Sequence, residues 1–173
     1  FDLHLIPGST SAEFVVMGIN PGEQRDDWAE WPTPTEETSA FDFRAELGRR
    51  PRASVNWRRL TEEICGTNSV VMSEPFLWST PDIGPSFKER FGHGFHESPH
   101  IPFSVNLNQK LIDFYNPRAV VLPGLGLRKI VKRHISLVPV RTIRTDKGHT
   151  LIDHFTSAGR NWIFTKHWSG AFG

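Results

Sequence analysis

Cysteine is nearly missing from this chain, and that shortage removes several chemistries at once. Cys65 is the single thiol among 173 residues. An internal disulfide and any zinc or iron–sulfur site built from cysteines alone are therefore excluded. A reducing compartment follows as the expectation, cytoplasmic or nuclear. Long hydrophobic runs are missing too: none approaches the ~20 residues of a membrane-spanning helix, so no membrane partner is expected. The first residues lack the basic-then-apolar layout of a signal peptide. Charge of one sign is also absent. Lys plus Arg number 20 against 19 for Asp plus Glu, so net charge neither demands nor excludes a polyanionic partner, and what counts is where the charges sit. Tyrosine is scarce while other aromatics abound, with one Tyr beside 6 Trp and 13 Phe. Several of these fall in Gly/Pro-rich stretches, where core helices and strands are not expected.

What is present fits one α/β domain over residues 1–173. That length suits a single domain, and 38% hydrophobic residues suffice for one core. Phe14-Val15-Val16-Met17 is a short apolar run ending at Gly18, which predicts a buried strand. Val70-Val71-Met72 and Ala119-Val120-Val121-Leu122 predict two more, running into Ser73-Glu74-Pro75-Phe76 and Pro123-Gly124. Leu137 to Ile143 and Asn161 to Thr165 are further strand candidates. Trp57, Leu60 and Ile64 have helical spacing, with Gly66 as a stop. Ser104 is placed to cap a helix holding Leu107, Leu111 and Phe114, closed by Asn116-Pro117. Leu127, Ile130 and Val131 give another helix its apolar side, opposite Arg128, Lys129, Lys132 and Arg133. Residues 19 to 53 and 79 to 103 read as long irregular stretches. Strands alternating with helices predict a three-layer α/β/α domain around a mostly parallel central sheet of four to five strands.

Ligands of such sheets bind beyond the carboxyl ends of the strands, and the chemistry-bearing segments fall there. Gly18-Ile19-Asn20-Pro21-Gly22 follows the first strand. Its glycines permit close backbone approach, Pro21 stiffens the turn, and Asn20 offers donors and an acceptor. A plain tight turn accounts for the same residues equally well. His167-Trp168-Ser169-Gly170 follows the last strand. His167 there can donate to a developing negative charge, and Ser169 with the Gly170 backbone can hold a phosphate. A surface histidine is the plainer alternative. His93, His96 and His100 share one Gly/Pro-rich stretch, but their spacing fits no zinc pattern, so no metal is expected. Arg49, Arg50, Arg52, Arg58 and Arg59 form a basic cluster. With the 128–133 helix, it is either a solvated surface or a phosphate-contacting rim. Cys65, beside Ile64, suits packing.

Taken in order, the Gly18–Gly22 loop, the helix closed by Asn116-Pro117, the strand running into Pro123-Gly124-Leu125-Gly126, and His167-Trp168-Ser169-Gly170 carry a resemblance. Over nearly its whole length the chain resembles the uracil-DNA glycosylase superfamily. Asn20 between Ile19 and Pro21 looks like the mismatch-specific and single-strand-selective branches. The resemblance implies a DNA glycosylase of base excision repair, a hydrolase cutting the N-glycosidic bond of uracil or another damaged base. It implies that Asn20 positions the attacking water and that His167 stabilises the leaving base anion. Gly18, Ile19, Pro21, Gly22, Ser73 and Glu74 would line the base pocket, and Trp28, Trp31 or Phe76 would stack on the base. Trp168, Ser169, Gly170, Ala171 and Phe172, with Gly124, would contact DNA and fill the space left by a flipped nucleotide. The implied partner is DNA, single-stranded or carrying a mismatch. The implied protein is a monomer that needs neither metal nor cofactor.

Three features depart from the family pattern. Ser73 or Glu74 stands where an asparagine usually reads the base, and an ionised carboxylate, which only accepts hydrogen bonds, is expected to disfavour uracil. Trp168 replaces a proline, and Ala171, beside Phe172, takes the wedge position. Glu23, Asp26, Asp27 and Glu30 bring acid near the mouth, where phosphates are repelled. These features favour an alternative: a catalytically silent relative that binds nucleic acid, a nucleotide or a protein partner through the same cleft. An unrelated α/β enzyme acting on a small molecule is a third reading.

Overall fold

The computed structural model describes residues 12–18, 63, 70–76 and 83–167. Among them the chain forms an α/β fold around a six-stranded mixed sheet. The strands are β1 (Phe14–Met17), β2 (Val70–Ser73), β3 (Ala119–Pro123), β4 (Val138–Arg144), β5 (Thr150–Ser157) and β6 (Arg160–Thr165). Their order across the sheet is β2-β1-β3-β6-β5-β4. β1 pairs in parallel with β2 and with β3, and β3 pairs in parallel with β6. β5 pairs antiparallel with both β6 and β4.

The sheet is thus wider than the four to five strands expected, and the strand that the sequence pattern hides is β5. Its two buried positions are Asp153 and Phe155. An aspartate on the inward face breaks the apolar alternation that marks a half-buried strand. It is tolerated because Arg128 and Thr142, distant in sequence, both reach it. β5 and β6 are joined through Ala158 and Gly159, at φ 49° and 75°. Two successive left-handed residues give a tight hairpin the twist of its strands.

Three α-helices are described, α1 (Pro85–Phe91), α2 (His100–Tyr115) and α3 (Leu127–Val131), with a short 3-10 turn at Phe95–Glu97. All three contribute to one core on one sheet face, where Phe87, Ile101, Ile112, Leu127, Ile130 and Val131 join Val15, Val71, Val120, Leu122, Trp162 and Phe164. Burying each such large apolar side chain stabilises the fold by about 1.5–3 kcal/mol before entropy is counted. The opposite face carries a second buried cluster of Val16, Val70 and Val121. The helix expected around Trp57, Leu60 and Ile64, and the Arg49–Arg59 cluster, lie outside the described residues.

Two expectations about the middle of the chain are corrected. The stretch from 79 to 103 is not irregular throughout, because Pro85 opens α1 in its first turn and Gly92, at φ 75°, closes it by donating to the Lys88 carbonyl. Two aromatics of this stretch, Phe87 and Phe95, are core residues, while Phe103 is exposed. Phe76 meets Phe95 edge-on at 4.4 Å between ring centroids, and Phe95 meets Phe87 at 5.2 Å. Likewise, Ser104 does not cap α2. The helix begins at His100, whose N–H donates to Ser98 Oγ, and Ser104 is fully buried within it. The inward face of α2 is Ile101, Ser104, Asn108 and Ile112, while Phe114 is 71% exposed. Two polar residues on that face concealed it from an apolar count. Asn116 ends the helix as expected, in the left-handed conformation at φ 46°.

Candidate functional site

Parallel pairing carries the ends of four strands to one edge. Met17 is level with Ser73, and Pro123 with Thr165. Hydrogen bonds extend the pairing into the loops: Gly18 N–H donates to Ser73 O at 3.1 Å and Gly124 N–H to Thr165 O at 2.9 Å. Lys166 N–H donates to Leu151 O at 3.1 Å. Glu74, Gly18, Gly124 and His167 therefore leave the sheet along the same edge, in that order. Neighbouring strands lie ~4.8 Å apart, so β2 and β6 are separated by roughly 14 Å. Continued alternation past the strand ends puts Gly18, Glu74 and His167 on the Val16–Val70–Val121 side.

Glu74 closes part of that span. Its carboxyl group lies against Gly18, where an added Cβ would come within 2.8 Å of Glu74 Cδ. Glycine at 18 leaves the acid room to reach across from β2 to β1 where it now lies. Glu74 Oε2 is buried and has no hydrogen-bond partner among the described residues. Burial pushes the carboxyl up to about 8, because removal from water disfavours the charged form. At pH 7 the group accordingly holds its proton, and one oxygen can donate while the other accepts. The expectation of an acceptor-only carboxylate is replaced by this one.

Asn108 fixes the segment from which Glu74 projects. Its Nδ2 donates to Glu74 O at 3.0 Å, to Pro75 O at 3.3 Å and to Ser104 O at 2.9 Å. Its Oδ1 accepts from Ser73 Oγ at 3.0 Å. Ser73 is thereby committed to the scaffold, while the Glu74 side chain turns toward Gly18 at the strand ends. Asn108 is the site-supporting residue missed by sequence reasoning, which saw α2 only as an apolar stripe. The available signal was an amide four residues after a serine, on the same helical face.

No protein-family model and no curated protein matches the chain.

The remaining candidates divide by position. His167 is half-buried just beyond β6, and burial lowers its pKa, which favours the neutral imidazole at physiological pH. Gly124 is buried at the end of β3. Phe76 is 2% exposed and engaged with Phe95, a packing position. Asn20, with Ile19, Pro21, Gly22, Trp28 and Trp31, lies outside the described residues, as do Glu23, Asp26, Asp27, Glu30, Cys65 and Trp168, Ser169, Gly170, Ala171 and Phe172. Of the basic helix, Arg128 is occupied by buried Asp153, and Lys132 Nζ sits 4.4 Å from the centre of the Phe155 ring. His93 packs among Phe87 and Phe91. Among the described residues no three His, Cys, Asp or Glu side chains form a group that could hold a metal ion, and no helix is long and apolar enough to cross a membrane.

Proposed function

We propose that this chain is a DNA glycosylase that hydrolyses the bond between a damaged base and its sugar, within a three-layer α/β/α domain. The observation that carries the reading is that Gly18, Glu74, Gly124 and His167 leave the sheet along one edge, where the Glu74 carboxyl lies against Gly18 with one oxygen unpartnered among the described residues. Cleaving an N-glycosidic bond sends its electron pair to the base and leaves positive charge on the sugar. A water molecule then bonds to the sugar carbon and loses a proton, which balances the one taken up by the departing base anion. A half-buried, neutral His167 can donate to the base oxygen where the negative charge grows. Asn20 orients the water, as the resemblance implies. The protonated Glu74 can give and take one hydrogen bond each, as an amide does, which suits a base edge with a carbonyl beside a ring N–H. That edge is shared by uracil, hypoxanthine and xanthine.

Glu74 in place of the family's asparagine also favours a second reading, a silent relative that holds a base without releasing it. One assay separates the two. Oligonucleotides carrying single uracil, hypoxanthine or xanthine residues are incubated with the protein and tested for alkali-labile abasic sites. Abasic product supports the glycosylase, and binding without abasic product supports the silent relative.

A further inference from the structure

Charge is distributed very unevenly along this nearly neutral chain. Residues 127–149 hold seven Lys or Arg and one acidic residue, Asp146, a formal +6 within a chain whose total is +1. The rest of the chain is therefore net acidic by five. Six of these cations are exposed: Lys129, Lys132, Arg133, Arg141, Arg144 and Lys147. Among the described residues, Arg128 is neutralised by buried Asp153.

The topology says where the exposed cations go. β4 runs antiparallel to β5, and β5 antiparallel to β6. β4 therefore ends at the same edge as the four strands that carry the candidate site. Ile143 is level with Ile152, and Ile152 with Thr165. Arg144 and the turn that follows thus stand beside the point where His167 leaves the sheet, two strand spacings or roughly 10 Å away. The turn is well built. Thr145 N–H donates to His149 O at 2.8 Å, and Gly148 N–H to Thr145 O at 2.8 Å. Arg144 Nη1 donates to Gly148 O and Thr150 Oγ1. β4 is itself an edge strand with its first five residues exposed, so nothing among the described residues covers this ribbon.

We propose that the β4–β5 hairpin is a phosphate-backbone track, along which Arg141, Arg144 and Lys147 hold a DNA strand beside the candidate site. The proposal rests on the glycosylase reading for its choice of polyanion. Backbone contact of this kind positions a strand without reading its sequence. It also supplies cations at the site's edge in a protein whose remaining residues are net acidic, where a nucleic acid would otherwise be repelled.

The test is binding of a fluorescein-labelled single-stranded oligonucleotide to the full chain, measured by anisotropy from about 50 to 200 mM salt. Each lost phosphate contact reduces the slope of log affinity against log salt by roughly one. Arg141→Gln with Lys147→Gln should reduce the slope by about two and weaken binding at least ~10-fold at the lower salt. Lys88→Gln with Lys110→Gln, exposed on α1 and α2, should leave the slope unchanged. Arg144 is kept because it shapes the turn, and circular dichroism checks that each variant folds. Hairpin-dependent binding without abasic product would support the track and overturn the glycosylase reading. Abasic product with an unaltered slope in the hairpin variant would overturn the track alone. No oligonucleotide binding, or a hairpin effect seen only on phosphatidylserine vesicles, would also overturn the track.

Discussion

The carboxyl group of Glu74 rests on the backbone of Gly18, so that the end of β2 reaches over the end of β1. A Cβ at position 18 would meet the end of the Glu74 side chain, which must shift to admit it. Gly18→Ala drives a methyl into the carboxyl group and should destabilise the fold by about 1–3 kcal/mol, as overpacking does. The loss should largely disappear in Glu74→Ala, since the obstacle is then gone. Urea denaturation of the two single variants and the double variant measures the coupling. Additive losses would mean that the two residues do not touch.

Burial of Glu74 also predicts a pH dependence. Between its ordinary 4.5 and about 8, the folded state keeps a proton that the unfolded chain releases. Stability is therefore greatest at the acid end of this window and falls as pH rises, by up to about 1.4 kcal/mol per pH unit. His167 acts in the opposite sense: its lowered pKa costs stability as pH falls below its ordinary 6.5. The interval from 6.5 to 8 isolates the glutamate. Glu74→Gln should flatten the stability profile there and raise stability at pH 8. Equal slopes in the parent and the variant would show that Glu74 is ionised in the fold.

Asn108 is the joint between α2 and the strand-end segment. Asn108→Leu would leave the Ser73 hydroxyl and the Glu74 and Pro75 carbonyls without the hydrogen bonds it now makes. Each buried polar group left unsatisfied costs about 1–3 kcal/mol. A melting temperature within error of the parent would contradict this account of the helix.

Arg128 is predicted to serve stability rather than nucleic-acid binding. Its side chain is 35% exposed while that of Asp153 is 4% exposed, so solvent screens the pair on one side. Arg128→Met should cost about 2–3 kcal/mol, somewhat below the loss for breaking a fully buried pair. Adding Asp153→Leu should recover much of that loss, because no unpaired charge remains. A salt slope for oligonucleotide binding that changes with Arg128→Met would place this residue among the phosphate contacts instead.

The parts of this architecture legible from sequence are those whose chemistry is local. β1, β2 and β3 are continuous apolar runs, and each ends at a residue that changes the chain's direction or polarity: Gly18, Glu74 or Gly124. Asn116-Pro117 stops α2 for reasons contained in two residues. The hidden parts depend on distant partners. Asp153 makes sense inside β5 only once Arg128 and Thr142 are beside it. Asn108 looks like a surface residue until Ser73 and the Glu74 carbonyl are placed against α2. The aromatics Phe76, Phe87 and Phe95 lie in turn-rich sequence, yet they pack on one another across nineteen residues of chain. For Glu74 the residue's identity was legible, but its protonation was not, since burial decides that.

The most direct test of the central claim is a single-turnover time course of base release. The parent, Asn20→Ala and His167→Ala are each held in excess over single-stranded oligonucleotides carrying uracil, hypoxanthine or xanthine. Free base and abasic strand are quantified together. The glycosylase account predicts equal amounts of the two products from at least one substrate. Each variant should be slower by on the order of 10²-fold, as when an electrostatic or water-positioning group is removed. Intact oligonucleotides throughout, or release at the parent's rate in both variants, would contradict it.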